Sequence, residues 1–449
     1  MTSKIVHKGE WKLPTEEKWI NGTLEFDIEQ GTSLELFGTF NPSFLDRENQ
    51  KIILGKTTNG EITLIDCIYR GKKSIYNGVI IGKYEPLIIL EGHHFTDISK
   101  IKFSQVIFRV FNLFQWLNLS GLDVKIKNHA KSYEIEYEEI QKIEFKLSTN
   151  CKGKITFDAP ITTNGPYNAI ELKEEAYITL DYSEQEYYKT ILGDISKIVG
   201  FITLVTFEQS YPKRIVFRDN EYKRESKHLN DNKYINCYYE HTNYNKKHKL
   251  KNPGQHLVGY QDIFSDFPLI IEKWFSLYND SQEVIFLVLN YFKDKYRFTT
   301  DKFIDTVRAI ESYHRIHYNN DRIPKEEFVN LVSTILGQVK LNNADYIWLK
   351  QRLILNEPNL KLRIEDLIEK HSNNFILSKI EKINVFARKT TDSRHYYTHY
   401  DPKGKKKALE GIELSELTQI NRAIIITCLL NHIGIDSEYL NKGLKYNLG

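Results

Sequence analysis

Pro268-Leu269-Ile270-Ile271-Glu272-Lys273-Trp274-Phe275-Ser276-Leu277 is where the hydrophobic period of this chain changes. Leu269, Ile270, Trp274 and Leu277 recur at helical spacing, whereas the residues before Pro268 mostly alternate at the two-residue period of strands. Downstream the helical spacing repeats through Val284, Leu287, Val288 and Tyr291, then through Phe303, Val307 and Ile310. Further stripes cover 328–336, 346–353, 362–368, 376–387 and 414–433. About eight such helices predict an all-α domain.

Upstream, Leu24, Phe26 and Ile28 alternate with Glu25 and Asp27, and Leu34 and Leu36 follow Gly31. Residues 52–55, Asn59-Gly60 and 62–67 read as a hairpin with a tight turn. Two more apolar runs surround Pro86 within 78–92, and 124–145 alternates again. One helix interrupts this half: Ser183-Glu184-Gln185-Glu186 has the form of a capping box ahead of Tyr187, Ile191, Ile195 and Ile198. The expectation is an α+β chain, with a β-rich N-terminal domain (a sandwich or barrel-like sheet) over 1–265 and a helical-bundle domain over 266–449.

The 449 residues carry 62 Lys and Arg against 59 Asp and Glu, a net charge of +3. So small a surplus gives no whole-molecule attraction for nucleic acid, and any such binding must rest on local patches. Cys67, Cys151, Cys237 and Cys428 lie far apart without a Cys-x-x-Cys pair, which disfavours a zinc site or disulfide framework and fits a reducing cytoplasm. Met1 to Lys8 lacks an apolar signal core, and the longest apolar runs, 284–289 and 423–430, fall far short of the ~20 residues of a membrane span. A soluble cytoplasmic protein is expected, with no membrane contact. There is no Walker loop, Rossmann glycine pattern, zincin motif or Gly-x-Ser-x-Gly elbow, so no cofactor is expected. His93-His94 has no third ligand at recognisable spacing and reads as a packed or surface pair rather than a metal site.

The densest chemistry is Arg394-His395-Tyr396-Tyr397-Thr398-His399-Tyr400, near the end of a predicted helix and just before Asp401-Pro402-Lys403-Gly404 breaks it. Arginine grips a phosphate through two parallel donors and imidazole moves protons near neutral pH, so together they suit cutting or binding a phosphodiester. Spacing alone is weak, because Arg308/His314 and Arg388/His395 match the same Arg-x(4–6)-His pattern from within amphipathic runs. On a helix His395 and His399 share a face one turn apart, with Arg394 beside His395, while His399 points about 140° away from Arg394. One motif alone therefore builds an incomplete site. Glu311 follows Phe303 and Val307 on the buried stripe of its helix, and Arg394 extends the stripe of Ile380, Ile383 and Ala387. A carboxylate facing a core needs a cation, which suggests a Glu311–Arg394 pair; the other reading puts Glu311 at the solvent edge.

The order of Gly9-Glu-Trp-Lys-Leu-Pro14, Gly22-Thr-Leu-Glu-Phe26, Leu34-Glu-Leu-Phe-Gly38, Gly55 and Gly60 with Thr63-Leu-Ile-Asp-Cys67, Gly92-His-His-Phe95 and Asn112-Leu-Phe-Gln-Trp116-Leu117 resembles the N-terminal domain of the ApeA family. Ala309-Ile310-Glu311 and Arg394-His395-x3-His399-Tyr400 resemble its ApeA-like HEPN domain, an all-α helical bundle. Many relatives have asparagine where this chain has His395, which leaves the role of that residue open: orienting, proton transfer, or holding the phosphate.

The resemblance implies a metal-independent endoribonuclease that opens single-stranded RNA or tRNA loops by 2′-OH attack and leaves a 2′,3′-cyclic phosphate. It also implies an antiphage, abortive-infection toxin working as a homodimer or higher homo-oligomer, with a composite cleft made from two motifs. His399 would be the acid/base, Arg394 the phosphate clamp, and His395 and Glu311 would complete the catalytic set. From its position after the motif, Tyr400 with the run Lys403, Lys405, Lys406 and Lys407 reads as a substrate contact, the lysines attracting the RNA backbone; the other reading of the run is a solvated loop. The N-terminal domain would sense a trigger, phage-derived, or restrain the nuclease. A second basic segment within 222–251, interleaved with tyrosines, reads as a polar loop or a single-strand track. The competing class is a non-catalytic HEPN-like protein that binds RNA or a nucleotide, or only dimerises.

Overall fold

Alternation of inward apolar and outward polar side chains gives the first six strands one apolar face. The computed structural model describes residues 4–27, 30–41, 47–74, 80–127, 132–164, 169–223, 232–239, 250–294 and 297–448, in two units, Met1–Glu272 and Lys273–Gly449. In the first, β1 (Ile5–Lys12), β2 (Ile20–Asp27), β3 (Gly31–Leu36), β4 (Gln50–Thr57), β5 (Gly60–Ser74) and β6 (Ile80–Glu91) pair antiparallel in the order β6-β3-β2-β1-β4-β5. Because β5 also pairs with β6, these strands form a closed barrel. Leu24, Phe26, Leu34, Leu36, Ile53, Ile62, Leu64 and Tyr84 fill it around Trp11. Ile28 lies outside the described residues. Trp11 stands opposite Gly55 in the β1–β4 register, and a Cβ on Gly55 would lie 2.2 Å from the indole. Only glycine leaves the ring that space.

The sheet continues beyond the barrel through β7 (Lys102–Val110), β10 (Ile143–Lys146), β11 (Cys151–Asp158), β14 (Glu175–Tyr187), β15 (Pro212–Lys223) and β16 (Asn232–Tyr239). Separate ribbons are formed by β8 (Leu122–Lys127) with β9 (Ser132–Tyr137) and by β12 (Ile161–Asn164) with β13 (Ala169–Leu172). Val124, Ile126 and Ile135 remain exposed, so the alternation at 124–135 marks a ribbon outside the main sheet. The two apolar runs around Pro86 are one strand. Residues 82–84 of β6 face β3 and 88–91 face β16, with Pro86, which has no N–H to donate, at the changeover. The hairpin at Asn59-Gly60 forms with Thr58 and Asn59 as its loop and Gly60, at φ +116°, opening β5.

The capping box at Ser183 is not used. β14 runs on to Tyr187, pairing Glu186 and Tyr187 with Phe103 and Lys102 of β7, and the Ser183 N–H donates to the Asn150 carbonyl. Sheet pairing takes the backbone groups that a cap would need, so the helix starts late. After α1 (Leu113–Leu117), α2 (Tyr188–Thr206) packs Ile191, Ile195 and Ile198 inward.

α3 (Tyr260–Ile263) ends the first unit, and α4 (Phe267–Asp280) crosses the division. The phase of α4 follows its largest side chain: Ile270, Ile271, Trp274 and Leu277 are buried, while Leu269, about 140° from Trp274 on a helix, is 52% exposed. The second unit holds α5 (Gln282–Asn290), α6 (Thr300–His317), α7 (Lys325–Gln338), α8 (Asn343–Arg352), α9 (Leu360–His371), α10 (Asn374–Lys379), α11 (Ile383–His399), α12 (Pro402–Lys405), α13 (Gly411–His432) and α14 (Ser437–Leu448). Residues 421–430 of α13 are all buried, which makes it the central helix, packed by α6 and α9. α11 packs on α6 and α9. The stripes of α7 and α8 form helices as expected, but no residue of either is buried, so they do not enter the core.

Candidate catalytic site

Phe386, Ala387, Thr390 and Ser393 are the buried face of α11, and Arg394 continues that stripe at the helix's outer end. Its guanidinium turns toward α6: Nη2 lies 3.6 Å from Oε2 of Glu311, with the side chains 31% and 21% exposed. Glu311 thus sits at the edge of its stripe and within ion-pair reach of the motif. Nε of Arg394 is buried without a hydrogen-bond partner among the described residues. His395 and His399 are exposed, and their rings lie 4.9 Å apart. One chain therefore joins Arg394 to Glu311 and His395 to His399, while Arg394 leans inward and the imidazoles face out.

The helix stops sharply. Tyr400 is left-handed at φ +51°, and its N–H closes on the Tyr396 carbonyl at 2.6 Å. Asp401 then accepts from the Lys403 N–H, with Pro402 at the first position of α12. The turn is held against α11 because Ser393 Oγ accepts from the Leu409 N–H and the Tyr397 hydroxyl donates to the Leu409 carbonyl. That folding-back keeps the exposed Lys403, Lys405, Lys406 and Lys407 beside the motif, with Tyr400 64% exposed at the corner.

Behind Glu311 stands a network the sequence reading missed. Arg315 Nη2 donates to Glu311 Oε1 at 3.2 Å, and Arg315 Nη1 donates to Glu357 at 2.7 Å. Glu357 also accepts from Arg363, which is fully buried and donates to Asn320 and to Nδ1 of His314. Arginine only donates, so Nδ1 of His314 is an acceptor and its Nε2–H faces Asp366 at 3.0 Å. The i,i+4 spacing of Glu311 and Arg315 was the available signal; Glu357 and Arg363 are brought in by tertiary folding.

The other two Arg/His matches make no such site. Arg308 pairs with Asp305, His314 is buried, and Arg388 is exposed on α11. His94 Nε2 meets the Gly55 carbonyl at 2.8 Å, and both His93 and His94 lie near Glu61. In the second basic segment, 224–231 and 240–249 lie outside the described residues, while Lys251 donates to the carbonyls of Thr206 and Phe207.

His314, His317, His371 and His432 are all held below the ordinary imidazole value of 6.5, chiefly by burial. With folded values depressed, the unfolded chain takes up protons first as pH falls. Their contribution to stability is intact above 6.5 and is lost as pH drops toward the folded values. The melting temperature, followed at the helical circular-dichroism band, is expected to fall between about pH 7.5 and about pH 5.5; an unchanged or higher value at the lower pH would count against this.

A family model described as ApeA N-terminal domain 1 matches residues 6–274, more than half of the chain, and one described as Apea-like HEPN matches 304–439. No curated protein and no solved structure matches the chain. Among the described residues no helix is long and apolar enough to cross a membrane.

Proposed function

The chain belongs to the ApeA family, and from its ApeA-like HEPN domain we propose a metal-independent endoribonuclease, an antiphage effector of the cytoplasm, whose site is built on the end of α11. The observation that carries this reading is the joining of a carboxylate-partnered Arg394 and two exposed, adjacent imidazoles in one helical turn and a half. HEPN domains are generally ribonucleases, and they usually bind RNA and dimerise.

His399 takes the proton from a ribose 2′-OH. The 2′ oxygen attacks phosphorus, Arg394 holds the charge growing on the phosphorane oxygens, and a protonated imidazole gives its proton to the leaving 5′ oxygen. The products are a 2′,3′-cyclic phosphate and a 5′-hydroxyl. His395 is the second proton carrier or the orienting group. Because Arg394 and His399 diverge on one helix, the working cleft combines the motifs of two chains in a homodimer. Tyr400 and Lys403, Lys405, Lys406 and Lys407 hold single-stranded RNA or a tRNA loop beside the cleft. Residues 1–265 form the domain that senses a trigger or restrains the nuclease carried by 266–449.

The 2′-OH requirement is the test. An RNA cut by the protein should become resistant when the ribose 5′ of the cleavage point is 2′-O-methylated, while still binding; cleavage of the methylated strand would refute the reaction assigned. Glu311→Gln keeps the side-chain shape but removes the charge behind Arg394. About tenfold slower cleavage, ~1.4 kcal/mol of transition-state stabilisation, is expected at unchanged melting temperature, and an unchanged rate would remove Glu311 from the site.

A further inference from the structure

α7 and α8 form a helical hairpin in which no residue is fully buried, Phe328, Val332, Ile335, Leu336 and Leu349 being only partly covered. Its two ends are clasped together: the Arg322 N–H donates to the Asn356 carbonyl at 2.7 Å, and the Asn356 side chain bonds both the N–H and the carbonyl of Ile323. Between these points Val329, Leu331, Ile347, Trp348, Ile354 and Leu355 are large, apolar and exposed, Trp348 at 57% and Leu355 at 73%. On α8 the apolar residues Tyr346, Ile347 and Trp348 are consecutive, and Leu353, Ile354 and Leu355 follow the helix end at Arg352. Helices this short do not persist in water with bare apolar faces.

We propose that this hairpin docks on the same hairpin of a second copy of the chain, the two forming a four-helix bundle. Three features select that occupant. The exposed side chains offer on the order of 900 Å² of apolar surface, about one partner's share of a stable interface. Lys325, Lys340, Lys350 and Arg352 nearly balance Glu326, Glu327 and Asp345, which suits self-pairing and gives no attraction for RNA or an anionic membrane. Two antiparallel two-helix hairpins also complete the smallest helical bundle with its own core. The bundle uses none of the motif residues, and the inference does not rest on the nuclease reading.

The experiment is sedimentation velocity of the full chain over a wide concentration range, with Trp348→Asp, Leu355→Asp and Arg394→Lys variants. Wild type and Arg394→Lys should be dimeric. The two aspartate variants should associate at least a hundredfold more weakly, with helix content and melting temperature close to wild type. Hydrogen exchange of wild type gives an independent readout: amides across 325–352 should gain protection as protein concentration rises. A monomeric wild type, undiminished association of both aspartate variants, or hairpin-dependent sedimentation with RNA or anionic vesicles would each overturn the proposal.

Discussion

Arg394→Lys should lower RNA cleavage by about a hundredfold or more, a loss typical of removing one oriented donor from a transition-state oxyanion, although the positive charge is kept. The reason lies in geometry. Lysine is a point charge on a flexible stem, whereas the guanidinium is a planar fork that can meet two phosphorane oxygens while its inner edge faces Glu311. Arg394 is only partly buried and its motif lies at the end of α11, so the substitution should change neither helix content nor melting temperature by much. Single-turnover cleavage beside a melting curve checks both halves. An Arg394→Lys variant that cuts RNA at the wild-type rate would leave the guanidinium without a role in the reaction.

Trp11→Ala should cost about 3–5 kcal/mol of stability, the range for emptying a fully buried indole site. The barrel gives it little room to relax. The ring lies against Gly55, where no side chain can move in, and is surrounded by buried residues of β2, β3, β5 and β6. Gly55→Ala approaches the same contact from the other side, placing a methyl 2.2 Å from the indole, and should also destabilise the first unit. Denaturant unfolding of each variant tests this; a loss below about 1 kcal/mol for Trp11→Ala would mean that the site collapses, contrary to a rigid closed barrel.

What could be read from the sequence was what depends on local period. The change at Pro268 separated a β-rich half from a helical half, and alternation at Leu24, Phe26, Leu34 and Leu36 marked the strands that line the barrel. Helical phase alone set Arg394 on the inner stripe of α11 and the two histidines together outside it. What could not be read was decided by partners distant in sequence. β7 drew residues 186–187 into the sheet over a well-formed cap signal, and β16 took the upper half of β6 across Pro86. Trp274 set the phase of α4 and turned Leu269 outward. Arg363, fully buried 52 residues after Glu311 yet tied toward it through Glu357 and Arg315, has no local pattern that announces it. Nor does a stripe of apolar residues say how deeply it will be covered, and the stripes at 328–336 and 346–353 form helices with no buried residue.

The central claim is that the end of α11 cuts RNA without a metal. It is tested most directly by incubating the purified full chain with total cellular RNA in EDTA, beside His399→Ala, and mapping the new ends. Fragments with 2′,3′-cyclic phosphates from the wild type, reduced by about 10²-fold or more in the variant, are the result this account predicts. Equal cleavage by both proteins, or cleavage that EDTA abolishes, would contradict it.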